Sequence, residues 1–110
     1  MNILDYHTSG GKNLITGYLD KLPAKEQAEG YRIRQSITND GLIALESITT
    51  RRLHGKLWEI KFCANRIMYI VKDSNYIYFL HACKKQKGKT EKHDLDTAIK
   101  RGKEANLKVD

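Results

Sequence analysis

Three apolar runs lie between Leu57 and Cys83, separated by links too short for anything but tight turns. From Leu57 the side chains alternate: Trp58, Ile60 and Phe62 share one face of an extended segment, and Glu59 and Lys61 share the other. Ala64-Asn65 reads as a tight turn. Arg66 to Lys72 is then the next strand, with Ile67, Tyr69 and Val71 on one face, and Asp73-Ser74-Asn75 is a second turn. Tyr76 to Cys83 is apolar almost throughout, as in a strand at the centre of a sheet. Neighbouring strands joined this tightly pair antiparallel, because a parallel pair needs a long crossover. The chain is therefore built around an antiparallel β-meander.

Helices flank it. Asn2 to Tyr6 reads as a short edge strand, ended by Thr8-Ser9-Gly10-Gly11, which also offers a helix cap. Leu14, Ile15, Tyr18, Leu19 and Leu22 recur at helical spacing, predicting a helix over Lys12 to Lys21. Leu22-Pro23 breaks it, since the residue before proline avoids the α region, and Pro23 suits the start of a second helix. That helix runs from about Ala24 to Thr38 and buries Ala28, Tyr31 and Ile37, although Gly30 in its interior costs about 1 kcal/mol relative to alanine. Asn39-Asp40-Gly41 stops it, and Gly41 to Thr50 reads as a helical turn and a loop.

The last helix begins near Thr90, whose hydroxyl can cap it. Asp94 and Asp96 sit in its first turns and Lys100, Arg101 and Lys103 in its last, each matching the helix dipole. Leu95, Ala98, Ile99, Gly102 and Ala105 form its apolar stripe. The expectation is one α+β domain over residues 1–110: a helical hairpin and a C-terminal helix on one side of a small antiparallel sheet.

Twenty basic residues against 13 acidic give a formal charge of +7, which favours a polyanion, nucleic acid or an acidic protein, as partner. Cys63 and Cys83 lie in apolar runs and read as buried free thiols of a reducing compartment. The cysteines and histidines lack ligand spacing, so neither a metal nor another cofactor is expected. No stretch has the apolar core of a signal peptide or the length of a membrane span, and a cytoplasmic location is expected.

Lys84, Lys85, Lys87, Lys89 and Lys92 cluster where the apolar third strand ends, so a rigid element fixes the first of them in space. In the meander Arg66 pairs with the far end of that strand, and Lys61 lies across the turn, so the cations converge on one patch suited to a phosphate backbone. Arg51, Arg52, His54 and Lys56 form a second basic segment. Arginine suits bidentate phosphate contact, and His54 is a candidate for proton transfer, though a surface histidine is the plainer reading. His81 reads as a satisfied structural histidine. There is no G-x-S-x-G, no cysteine spaced to meet a histidine and no pair of carboxylates. Any chemistry rests on cations and one weak base. That fits RNA cleavage, in which the substrate's 2′-hydroxyl is the nucleophile and the protein aligns the phosphate, removes a proton and stabilises charge.

RRLHGKLWEIKF at Arg51 to Phe62, NRIMYIV at Asn65 to Val71 and FLHACKKQKGKT at Phe79 to Thr90 resemble the phage-type HigB branch of the RelE/ParE toxin superfamily. The Leu19-Asp20-Lys21-Leu22-Pro23 junction is also similar, and the likeness extends from about Lys12 to Gly102. The resemblance implies a RelE-like fold and a type II toxin, a ribosome-dependent mRNA endoribonuclease that forms a 2′,3′-cyclic phosphate without metal. It also implies silencing by a HigA-like antitoxin with a helix-turn-helix domain.

Position by position, the resemblance implies Arg66 and Lys84 or Lys89 as transition-state cations, and Arg51, Arg52, Lys61, Lys85 and Lys87 as RNA contacts, with His54 as the acid–base candidate. Three positions depart from the family pattern: Lys61 stands for arginine, Cys83 for an aromatic residue and Glu91 for proline. The ParE side of the same superfamily supplies a different expectation, a gyrase-binding inhibitor without RNA cleavage, and a basic nucleic-acid-binding module is a third.

Overall fold

The computed structural model describes every residue but Gln86, and every remaining side chain except those of Lys89 and Thr90. The expected meander is present as β3 (Leu57–Phe62), β4 (Asn65–Val71) and β5 (Tyr76–Lys84), with β1 (Asn2–Asp5) and β2 (Thr50–His54) completing the sheet in the order β1-β5-β4-β3-β2. β5 is interior, as its apolar run requires. β1 pairs with it in parallel, Asn2 opposite Tyr76 through Asp5 opposite Phe79, so the sheet is mixed. β2 is a strand that the alternation does not announce. It pairs antiparallel with β3 and sets Arg51 opposite Glu59, an opposite-charge cross-strand pair that favours this register. The first turn falls on Cys63-Ala64, one residue earlier than expected, and Asn65 already belongs to β4.

Helices cover both faces of the sheet, not one. On the first face Ile60, Phe62, Ile67, Tyr69, Ile77 and Phe79 pack against Ile15 and Leu19 of α1 (Leu14–Leu19) and Ile33 and Ile37 of α2 (Ala24–Asp40). On the second, Leu57, Met68, Ile70 and Leu80 pack against Ala98 of α3 (Lys89–Glu104) and against Val109. Each apolar stripe of the two-sided sheet thus has its own partner, and Glu59 is buried instead of facing water. Among the described residues, no helix is long and apolar enough to cross a membrane.

The cap of α1 is Asn13, whose Oδ1 accepts from the N–H groups of Ile15 and Thr16 at 2.9 Å each, while Thr8 and Gly11 close a turn of their own. In α2 the buried stripe is Gly30, Ile33 and Ile37; Ala28 and Tyr31 are exposed, contrary to the expectation. Gly30 explains the rotation. A Cβ there would stand 2.8 Å from Leu19 Cδ2 and 3.3 Å from the Phe62 ring, so the missing side chain lets the helix seat against both. Gly41–Ser47 forms a 3-10 stretch. The N-cap of α3 is Gly88, without a side-chain cap bond; the Thr90 hydroxyl expected there is outside the described residues.

The β4–β5 ladder is irregular between Met68 and Tyr69. Tyr69 pairs with Phe79 and Met68 with His81, leaving Leu80 as the extra residue of a bulge. Beyond it the side-chain parity of β5 is reversed, and His81 and Cys83 come to lie on the α3 face.

A cation-lined cleft as candidate functional site

On the α3 face the apolar core stops partway along the strands. Leu57, Met68 and Ile70 give way to Glu59 and Lys61 on β3, Arg66 on β4 and Cys83 on β5. Register places Lys61 opposite Arg66, Arg66 opposite Cys83, and Arg51 opposite Glu59. The first turns of α3 lean over this end with Glu91 and Asp94. The result is a cleft of about 250 Å³ walled by Arg51, Lys61, Arg66, Lys84, Lys85 and Lys87, with Glu59, Glu91 and Asp94 among them.

Glu59 organises the guanidiniums. It is only 3% exposed, accepts from Arg51 Nε at 2.8 Å, and lies 3.9 Å from Arg66 Nε. Arg66 Nη1 donates to the Asn65 carbonyl at 2.8 Å, and Arg51 Nη2 reaches Glu91 at 3.1 Å. Glu91 and then Glu59 hold the Arg51 guanidinium above its ordinary pKa, burial opposing them, so it stays cationic. Each guanidinium has five N–H donors, and these contacts engage only some of them. A buried carboxylate thus fixes two forks beside a cleft that can admit a phosphate.

Lys84 lines the same cleft, but its ammonium turns to the other face of the sheet. There Asn65, fully buried, accepts from Lys84 Nζ at 3.0 Å and from the Tyr18 hydroxyl at 2.6 Å, and its Nδ2 donates to Glu26 at 2.8 Å. Lys84 Nζ is 3.5 Å from the same Glu26 carboxylate. Burial, the largest cause, pushes the Tyr18 phenol up to about 12, so it remains a donor.

The structure brings Lys61 and Arg66 together as expected and adds Arg51, which β2 carries in, with Lys85 and Lys87 exposed at the rim. The Lys89 side chain lies outside the described residues. Arg52 belongs to an adjoining groove with Leu53, Lys92 and Leu95, and its Nε donates to the Gly55 carbonyl at 2.8 Å. His54 pairs with Leu57, at the end of β3 away from the cleft, and its Nε2 is 2.8 Å from Asp110 Oδ1. It has no place in the cleft wall.

The cleft carboxylates have no counterpart among the expected site residues. Glu59 was legible as the one acid in an apolar strand; Asp94 and Glu91 were not, because their position depends on how α3 docks. Asp94 Oδ1 lies 2.8 Å from His81 Nε2, while Arg101 Nη1 sits 3.1 Å from His81 Nδ1 and 3.0 Å from the Leu80 carbonyl. A guanidinium only donates, so Nδ1 accepts and the Nε2 proton goes to Asp94. Burial lowers the His81 pKa against the opposing pull of Asp94, and burial, then Asp94, raises the Cys83 thiol to about 12. The nitrogen, sulfur and oxygen atoms of His81, Cys83 and Asp94 lie within 4.8 Å of one another. These three residues form a grouping invisible in sequence spacing, and both ring nitrogens are already hydrogen-bonded. Cys63 differs from Cys83. It is exposed in the β3–β4 turn at φ 52°, not buried as its apolar neighbours suggested.

No curated protein matches the chain. A family model does match over residues 17–103, which contain α2, all of the meander, β2 and nearly all of α3, and the chain belongs to the family of phage-derived Gp49-like proteins (DUF891).

Proposed function

We propose that this protein is the toxin of a type II toxin–antitoxin system and acts as a ribosome-dependent mRNA endoribonuclease. The observation that carries the reading is the cleft in which Arg51, Lys61 and Arg66 converge around the buried Glu59. The family is one related to toxins of such systems, and the resemblance of the 51–62, 65–71 and 79–90 segments points the same way.

In the reaction the 2′-oxygen attacks phosphorus and the bond to the 5′-oxygen breaks, giving a 2′,3′-cyclic phosphate and a 5′-hydroxyl. Arg66 binds the non-bridging oxygens, where negative charge grows, and Lys89 is its proposed second cation. Arg51, Arg52, Lys61, Lys85 and Lys87 hold the flanking backbone. Lys84 contributes only after leaving Asn65. For the 2′-hydroxyl proton, the position of Asp94 in the cleft wall makes it a better candidate than His54. The neutralising partner is an antitoxin whose acidic surface opposes the +7 charge.

The test is brief induction in bacteria, with mapping of mRNA 5′ ends for wild type, Arg66→Ala and Lys89→Ala. New ends inside translated reading frames, missing in the variants, are expected. Growth arrest with intact messages would reject the nuclease and move a binding target such as gyrase to the front.

A further inference from the structure

Among the described residues, no strand or backbone hydrogen bond covers the edge of β5 beyond the point where β1 stops. The last bond from the N-terminal segment is Tyr6 N–H to the Phe79 carbonyl at 2.9 Å, after which the Tyr6 carbonyl accepts from Leu14 and the chain departs into α1. Beyond the bulge, Lys85 N–H donates to the Ala64 carbonyl at 2.7 Å across the pair Lys84–Asn65. That makes Lys84–Asn65 a non-hydrogen-bonded pair, Cys83–Arg66 a bonded one and Ala82–Ile67 non-bonded again. The N–H and C=O groups of Ala82 and Lys84 therefore point away from β4, along the line β1 vacates. An open strand edge of this kind is a template for another extended chain.

A groove of about 280 Å³ runs along this edge, between α1 and α3, and includes Lys12, Gly17, Tyr18, Lys21, Ala82 and Arg101 in its walls. Among the described residues its lining contains no carboxylate. Gly17 is the informative residue. It sits inside α1, where glycine costs about 1 kcal/mol relative to alanine, yet a Cβ there would meet nothing within 4 Å. Packing among the described residues does not require that glycine; what it leaves is room in the groove wall.

We propose that this groove is a strand-docking site, which receives a short acidic extended segment of the protein that neutralises this chain. Main-chain bonds to Ala82 and Lys84 supply the pairing, and Lys12, Lys21 and Arg101 supply the preference for acidic side chains. The partner's existence rests on the toxin reading above. The groove and the cleft share no lining residue among those described; the pairing edge runs up to Lys84 of the cleft wall and leaves the Arg66 side open.

The test uses the full chain and the protein encoded beside its gene, with amide hydrogen exchange read residue by residue. In the complex, the Ala82 and Lys84 amides are expected to exchange slower by roughly tenfold or more. Gly17→Gln, which fits the free fold, is expected to weaken the complex by roughly tenfold, as is Lys12→Glu combined with Lys21→Glu. A complex that forms with both amides at their free rates, and that tolerates Gly17→Gln, overturns the docking site while leaving the toxin reading intact. Failure to form any complex removes the toxin–antitoxin reading and the docking site with it. Protection of these amides by a ribo-oligonucleotide instead of the protein assigns the groove to RNA and overturns the proposal.

Discussion

The Lys84 ammonium lies 3.0 Å from Asn65 Oδ1, on the face of the sheet opposite the Arg66 side chain, although the two residues stand one register step apart in neighbouring strands. Two cations that sequence places together therefore do different things. Arg66 borders the cleft with its guanidinium, while Lys84 ties β5 to α1 and α2 through Asn65, Tyr18 and Glu26. We predict that Arg66→Ala abolishes RNA cleavage with the fold retained, and that Lys84→Ala keeps a larger share of the activity. Asn65→Ala leaves the part-buried Tyr18 and Glu26 without their partner and is expected to lower the unfolding free energy by roughly 1–3 kcal/mol in urea titrations. Equal loss of cleavage in the Arg66 and Lys84 variants would contradict this division.

Glu59 gives a second test, because it holds positive charge in place and also opposes an incoming phosphate. Glu59→Gln keeps the volume and removes the charge. RNA binding should then hold or tighten while the rate of cleavage falls, since Arg51 and Arg66 lose the carboxylate that aims them. Stability should drop by about 1–3 kcal/mol. A variant that binds more weakly and cleaves at the wild-type rate would show that Glu59 serves neither purpose.

Gly30 and Gly17 should respond to alanine with opposite signs. At Gly30 the new Cβ would press on Leu19 Cδ2 at 2.8 Å and on the Phe62 ring, so overpacking of about 1–3 kcal/mol outweighs a helix gain of about 1 kcal/mol. At Gly17 nothing lies within 4 Å, and Gly17→Ala should stabilise by up to about 1 kcal/mol. Chemical denaturation of both variants measures the pair. The same sign at both positions would show that seating against Leu19 is not what Gly30 provides.

How much of this was legible beforehand depends on range. The meander was readable because Trp58-Ile60-Phe62 and Ile67-Tyr69-Val71 alternate locally and the turns are short. β2 was hidden because Arg51 and Arg52 interrupt its alternation, and what makes it a strand is Glu59 opposite Arg51. Helical spacing alone points Ala28 and Tyr31 inward, because it cannot tell that Gly30 marks the contact stripe. The parity change after Leu80 was beyond reach as well, and it decides that Cys83 faces Asp94. Of the candidate site, the meeting of Lys61 and Arg66 followed from pairing within the meander, whereas Arg51 joins them through β2. The Glu91 and Asp94 share of the cleft followed only from how α3 docks, and the place of His54 outside the cleft wall from the β2–β3 register.

The two thiols should be distinguishable in the native protein. Cys63 is exposed in a turn, whereas Cys83 is partly buried with its thiol pushed up to about 12. The thiolate is the reactive form. At pH 8 a disulfide-exchange reagent should therefore consume one thiol quickly and the second only on unfolding, and Cys63→Ser should remove the fast phase. A fast phase that survives Cys63→Ser would place the Cys83 sulfur within reach of solvent.

His81 makes stability depend on pH in a definite direction. Burial is the main cause of its lowered pKa; Asp94 pulls upward, and Arg101 and His93 push downward. In the unfolded chain the ring protonates near its ordinary value of about 6.5, while the folded ring stays neutral to lower pH. Between those two points the unfolded state binds more protons, so acid favours unfolding. The contribution of neutral His81 is thus present above about pH 6.5 and is lost as pH falls through that value toward the folded pKa. We predict that the unfolding free energy, measured in urea from pH 7.5 to 5.5, declines more steeply for wild type than for His81→Gln. The substitution itself should cost stability at pH 7.5, because Asp94 and Arg101 lose the ring that links them. Parallel pH profiles for the two proteins would mean that the folded ring titrates as it does in the unfolded chain, and that the bond to Asp94 fully offsets burial.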